Sequence, residues 1–211
     1  MNKDLDLKQT ERNSFKLAAY ADGLNDISLG LVMILLGIYP YTRAAFGVNR
    51  NMIFFLVILG IIVFAQTRIK ARLTPDRIGL VKFGAAAHKR LKFALLITSL
   101  LLALTAVTWG LSGQGYFFPR PSWLGAYGFD IFFALAILGV FCAMAYTLEL
   151  TRYYLYGLLF GASMLLQAFL TDYWYEGLAL LLSGVIVVGI GIFLLTRFLK
   201  EFPAVAETEE V

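Results

Sequence analysis

Histidine and cysteine are almost missing from this chain: His88 and Cys142 are the sole representatives. One histidine cannot build a multi-histidine zinc site, a bis-histidine haem or a histidine proton relay within one chain. One cysteine excludes an intramolecular disulfide. Cys142 also lies in a long apolar run, where a reactive thiolate is disfavoured, so it reads as a small core residue. His88 is flanked by Lys89 and Arg90 and reads as a surface residue rather than a catalytic base. The G-x-x-x-x-G-K-[ST], G-x-G-x-x-G and H-E-x-x-H patterns are all absent. ATP-driven transport or metalloprotease chemistry would therefore have to come from a partner protein. The sequence offers no catalytic residue set, no metal ligand set and no cofactor motif.

Charge is scarce as well. Asp, Glu, Lys and Arg make up 15% of the 211 residues against 60% hydrophobic, with a mean hydropathy of +0.76. A water-soluble domain of this length has too little polar surface to cover itself at that composition. What is present is a set of long apolar stretches, at 24–42, 52–67, 93–112, 124–147, 153–171 and 177–196. Each approaches the ~20 residues that a membrane-crossing helix needs, the second being the shortest. Runs such as LITSLLLALTAV and LLLSGVIVVGIGIFLL lack the alternation of a barrel strand, so helices are predicted. The expected fold is all-α: a polytopic integral membrane protein of six transmembrane helices. It divides into a cytoplasmic segment 1–22, a transmembrane domain 23–199 and an acidic tail 200–211 with Glu201, Glu207, Glu209 and Glu210.

Lysine and arginine set the orientation. Lys3, Lys8, Arg12 and Lys16 precede the first stretch. Arg68, Lys70, Arg72, Arg77, Lys82, Lys89, Arg90 and Lys92 fill the connection 66–92, and Arg152, Arg197 and Lys200 fall on the same side. Only Arg43, Arg50 and Arg120 fall on the other, fifteen basic residues against three. The positive-inside rule places both termini in the cytoplasm, as an even number of spans requires. The net charge of +4 follows from this asymmetry, and no basic, aromatic-interleaved face points to nucleic acid. Residues 1–22 lack the short apolar core of a cleavable signal peptide and read either as an interfacial helix or as a solvated tail.

The eight basic residues of 66–92 are candidates for anionic lipid headgroups, an attraction of about 1 kcal/mol each near a membrane surface. The competing reading is that they only fix topology. Three acids fall at the starts of apolar stretches. Asp22 and Asp26 are expected on one face of the first helix, and Asp130 opens the fourth. Such acids mark either intramembrane chemistry or the favourable end of a helix dipole, the latter if the fourth helix begins near Gly128. No Lys or Arg lies within a span to pair with Asp26 or Asp130. ADGLNDISLGL at 21–31 aligns, with Asn25 skipped, with AYGFDIFFAL at 126–135. One match opens a span from the cytoplasm and the other from outside, the arrangement of a 3+3 inverted repeat. Small residues at Gly139-x-x-x-Ala143, Gly157-x-x-x-Gly161 and Ala179-x-x-x-Ser183 are candidates for close helix packing, within the chain or between copies.

Three functions fit these features. The first is a non-enzymatic, oligomeric or accessory component of a membrane complex in a bacterial or archaeal plasma membrane, in contact with anionic lipid. The second is a small transporter or substrate-binding subunit using Asp26 and Asp130. The third is a lipid-modifying enzyme using acids such as Asp22, Asp26, Asp172 and Glu176, which lie on opposite predicted faces.

Overall fold

A computed structural model describes residues 22–73, 128–169 and 177–203. The described residues form five helices: α1 Leu24–Phe46, α2 Val48–Leu73, α3 Gly128–Leu148, α4 Arg152–Phe169 and α5 Leu178–Glu201. Four of them, α1, α2, α3 and α5, are long and apolar enough to cross a membrane. The expected stretch 93–112, the N-terminal segment 1–21, most of the 66–92 connection and the tail beyond residue 203 lie outside the described residues. So do His88, Asp172 and Glu176. Residues 22–73 and 181–203 belong to one compact unit, and 128–169 with 177–180 to another.

In the first unit α1 begins directly after Gly23, whose φ of 68° is left-handed. The Gly23 carbonyl accepts the N–H groups of Asp26 and Ile27 at 3.1 and 3.0 Å, so the reversal starts the helix without a side-chain cap. A second left-handed residue, Gly47 at φ 76°, ends α1 by donating its N–H to the Arg43 carbonyl at 2.9 Å. Its own carbonyl then accepts from Asn51 N at 3.1 Å, so α2 starts at once. The resulting hairpin is antiparallel: the Tyr39 ring meets Phe55 edge to face at 5.0 Å, while Asn25 meets Gln66 at the far end. On α2 the inward positions run Asn51, Phe55, Ile62, Gln66 and Lys70, the stripe expected of a helix that packs on one side only.

The second helix extends well beyond the predicted 52–67. Its start moves to Val48 because Gly47 alone makes the turn, and its end moves to Leu73. Hydropathy falls at Thr67, but Thr67-Arg68-Ile69-Lys70-Ala71-Arg72 contains no glycine or proline to stop a helix, and Ala, Arg and Lys are good helix formers. Arg68, Lys70 and Arg72 are thus helical residues rather than parts of a loop.

Antiparallel packing of α1 on α5 closes the first unit through four glycines. A Cβ on Gly30 would stand 2.7 Å from the Val188 nitrogen and 2.8 Å from the Gly184 oxygen. A Cβ on Gly184 would stand 2.8 Å from both the Gly30 oxygen and the Ile34 nitrogen. One turn pair further on, a Cβ on Gly23 would overlap the Gly191 carbonyl oxygen, and one on Gly191 would lie 2.6 Å from the Ile27 nitrogen. Glycines seven apart on each helix therefore let the two backbones touch, as small residues do in membrane helix pairs.

The second unit is an α3–α4 hairpin. Ala134, Phe141, Ala145 and Leu148 are buried at the heptad spacing of a helix seam. Phe141 meets Tyr153 and Phe160 with ring centres 6.2 and 6.1 Å apart. The turn is a Schellman motif: Leu150 N donates to the Ala145 oxygen at 3.0 Å, and Glu149 takes the left-handed position at φ 55°. That position favours glycine. Glu149→Val is therefore expected to lower the hairpin's stability by about 1–2 kcal/mol, because a β-branched residue at positive φ is strained. Glu149→Gly should not lower it, and thermal unfolding of the two variants followed by circular dichroism compares them.

Candidate functional site: a buried charged cluster on the α1–α2 hairpin

Where the start of α1 meets the end of α2, two polar pairs bridge the hairpin, Asp22 with Lys70 and Asn25 with Gln66. Asp22 and Asp26 are fully buried. Asp22 lies ahead of α1, and its Oδ1 accepts the Leu24 N–H at 3.2 Å, taking one of the donors that a helix start leaves open. Its Oδ2 lies 3.2 Å from Lys70 Nζ, with the Asp22 side chain 1% and the Lys70 side chain 26% exposed. One turn earlier on α2, Gln66 Nε2 donates to Asn25 Oδ1 at 2.5 Å. Asp26 is the third residue of α1, where the helix dipole favours an acid.

One expectation about these acids changes. Asp22 and Asp26 do not share a helix face, because the left-handed turn at Gly23 separates them and only Asp26 is helical. A basic partner also exists for Asp22: Lys70 reaches it because α2 stays helical past residue 67. Asp130 lies in α3. Its side chain is not among those described.

The other predicted residues distribute as follows. Arg68 and Arg72 are exposed on α2, and the Arg68 guanidinium sits 5.2 Å from the centre of the Phe64 ring. Arg77, Lys82, Lys89, Arg90 and Lys92 lie outside the described residues. Gly157 and Gly161 face α3: a Cβ on Gly157 would stand 2.6 Å from Phe141 Cβ, and one on Gly161 3.3 Å from the Ala134 oxygen. Gly139 departs from the expected packing, since a Cβ there meets nothing within 4 Å. Its neighbour in the motif, Ala143, uses its carbonyl within α3, accepting from Thr147 Oγ1 at 2.8 Å. Ser183 is buried, and the Ala179 carbonyl accepts from Ser163 Oγ at 3.2 Å.

Sequence reasoning passed over Asn25, Gln66 and Asn51. Asn51 is fully buried at the opposite end of the hairpin and donates through Nδ2 to the Tyr39 carbonyl at 3.3 Å. Asn51 and Gln66 lie within about a turn of the ends of the second apolar stretch, and that placement was the available signal. The seven-residue glycine spacing of Gly23, Gly30, Gly184 and Gly191 was passed over too. It is visible in the sequence once the pattern sought is small residues at intervals of seven rather than four.

Among the described residues no group of three or more His, Cys, Asp or Glu side chains is placed to hold a metal ion. No protein-family model matches the chain, and no curated protein or solved structure is detectably similar to it.

Proposed function

We propose that this chain is a six-span plasma-membrane protein of bacterial or archaeal type with both termini in the cytoplasm. In this reading it works without catalysis as an oligomeric or accessory component of a membrane assembly, in contact with anionic lipid. The observation that carries the reading is the use made of its buried and half-buried polar groups. Lys70 and Asp22, Gln66 and Asn25, Asn51 and the Tyr39 carbonyl, and Ser163 and the Ala179 carbonyl each join one helix to another element. Polar contacts of this kind act as fasteners in membrane helix bundles. The apolar length of α2 supports the membrane setting: Arg68 lies eighteen positions after Arg50, about 27 Å of helix, against a hydrocarbon core of about 30 Å.

Native mass spectrometry of the detergent-solubilised protein tests the assembly. The expected result is a multiple of the 23.5 kDa chain or a stable complex with a second membrane protein. A bare monomer with no retained lipid would overturn the reading. In a Cys142→Ala background, Gly113→Cys should react with an impermeant maleimide from outside the cell. Glu207→Cys should react only after the membrane is opened.

One observation favours a second reading, transport: two fully buried carboxylates, Asp22 and Asp26, lie at one end of α1, with Lys70 beside Asp22, and buried charge in membrane helices marks ion or substrate paths. An experimental structure in lipid nanodiscs decides between them. A hydrated cavity at Asp26, with halves that superpose about an in-plane axis, would move the assignment to a transporter.

A further inference from the structure

The basic residues at the end of α2 are not equivalent. Lys70 lies two residues from both Arg68 and Arg72, about 200° around the helix from each, and points back to Asp22. Arg68 and Arg72 are one turn apart, so they share a face about 6 Å apart along the axis. Both are exposed. The same face carries Val57, Ile61 and Phe64, all exposed apolar side chains, and no residue of Ile53–Leu73 is buried within the chain. Arg68 lies against the Phe64 ring, which sets its guanidinium at the polar end of the apolar stripe.

We propose that this face binds one anionic phospholipid, its phosphate between Arg68 and Arg72 and an acyl chain along Phe64, Ile61 and Val57. Resting on the membrane reading above, this narrows lipid contact to two arginines of the many basic residues. Two planar guanidinium groups one turn apart suit the oxygens of a phosphate, which they engage by paired hydrogen bonds. The apolar run beside them suits a chain of methylene groups. Charge also argues against a second copy as the occupant: copies share one orientation in a membrane, so a parallel α2–α2 contact would set these arginines against each other.

The test is lipid retention in native mass spectrometry after reconstitution into nanodiscs of equal phosphatidylglycerol and phosphatidylcholine. The wild-type chain should retain phosphatidylglycerol in preference, and R68Q/R72Q should lose that preference by about tenfold or more. R68Q and R72Q singly should each lose part of it, which keeps the test open if the double variant folds poorly. R197Q/K200Q removes the same charge from the end of α5 and should leave the preference intact. An equal loss in R197Q/K200Q and R68Q/R72Q, or no loss in any variant, would overturn the site in favour of diffuse surface charge. Disulfide crosslinking of V57C to itself, in the Cys142→Ala background, would overturn it in favour of a second copy. Failure of the membrane reading registers separately, as release of the wild-type chain from membranes by alkaline carbonate.

Discussion

Gly30→Ala and Gly184→Ala are each expected to destabilise the first unit by about 1–3 kcal/mol, and Gly30→Leu by more. In both alanine variants the new methyl meets main-chain atoms under 3 Å away. Backbone cannot swing aside as a flexible side chain would, so the helices must separate along their length. That separation weakens every α1–α5 contact at once. The Gly30→Ala/Gly184→Ala double variant should therefore be less damaging than the sum of the singles, since one displacement of α5 relieves both clashes. Gly60→Ala and Gly189→Ala supply the contrast: a Cβ at either position meets nothing within 4 Å. Alanine there should hold stability within about 0.5 kcal/mol or raise it slightly through its better helix propensity. Titration of the solubilised variants with sodium dodecyl sulfate, followed by circular dichroism, ranks all six. Equal losses at Gly30 and Gly60 would remove the close approach of α1 and α5 as their cause.

Lys70→Met should be comparably severe. Removing one partner of a buried ion pair leaves the other charge stranded, at a cost of about 3–5 kcal/mol when both are fully buried. Lys70 is a quarter exposed, which admits water and reduces the expected loss to about 2–3 kcal/mol. Asp22→Asn should be milder, because an asparagine oxygen can still accept the Leu24 N–H and carries no charge to strand. The sign that identifies the pair is in the double variant. Asp22→Asn/Lys70→Met should be more stable than Lys70→Met alone, since the second substitution removes the uncompensated carboxylate. A double variant that simply adds the two losses would show that Lys70 acts through packing of its aliphatic stem instead. The same titration, run as a double-mutant cycle, reads the coupling directly.

These two sites differ in how far the sequence reveals them. Helical character was legible, because 23 residues from Leu24 and 24 from Leu178 have only one way to satisfy their backbone in an apolar setting. The first-turn position of Asp26 was legible as one of two alternatives, and α1 begins directly after Gly23. The end of α2 was not, since an apolar window senses the loss of hydropathy at Thr67 while the backbone senses only propensity and caps. The Asp22–Lys70 pair depends on that misplaced end, and no local pattern links residues so far apart in the chain. The α1–α5 contact was hidden for a different reason. Glycines seven apart look like scattered composition on either helix alone, and acquire meaning only when the two spacings are set antiparallel.

Gly184 is made 154 residues after Gly30. At a synthesis rate of about 5–20 residues per second, α1 waits roughly 8–30 s for its partner. During that interval its glycine-lined face lacks the helix that covers it in the finished unit. The first unit is therefore completed late by construction. A slow step in its biogenesis should respond to the rate of elongation, and to substitutions at Gly184 and Gly191 as strongly as to any change in α1 itself.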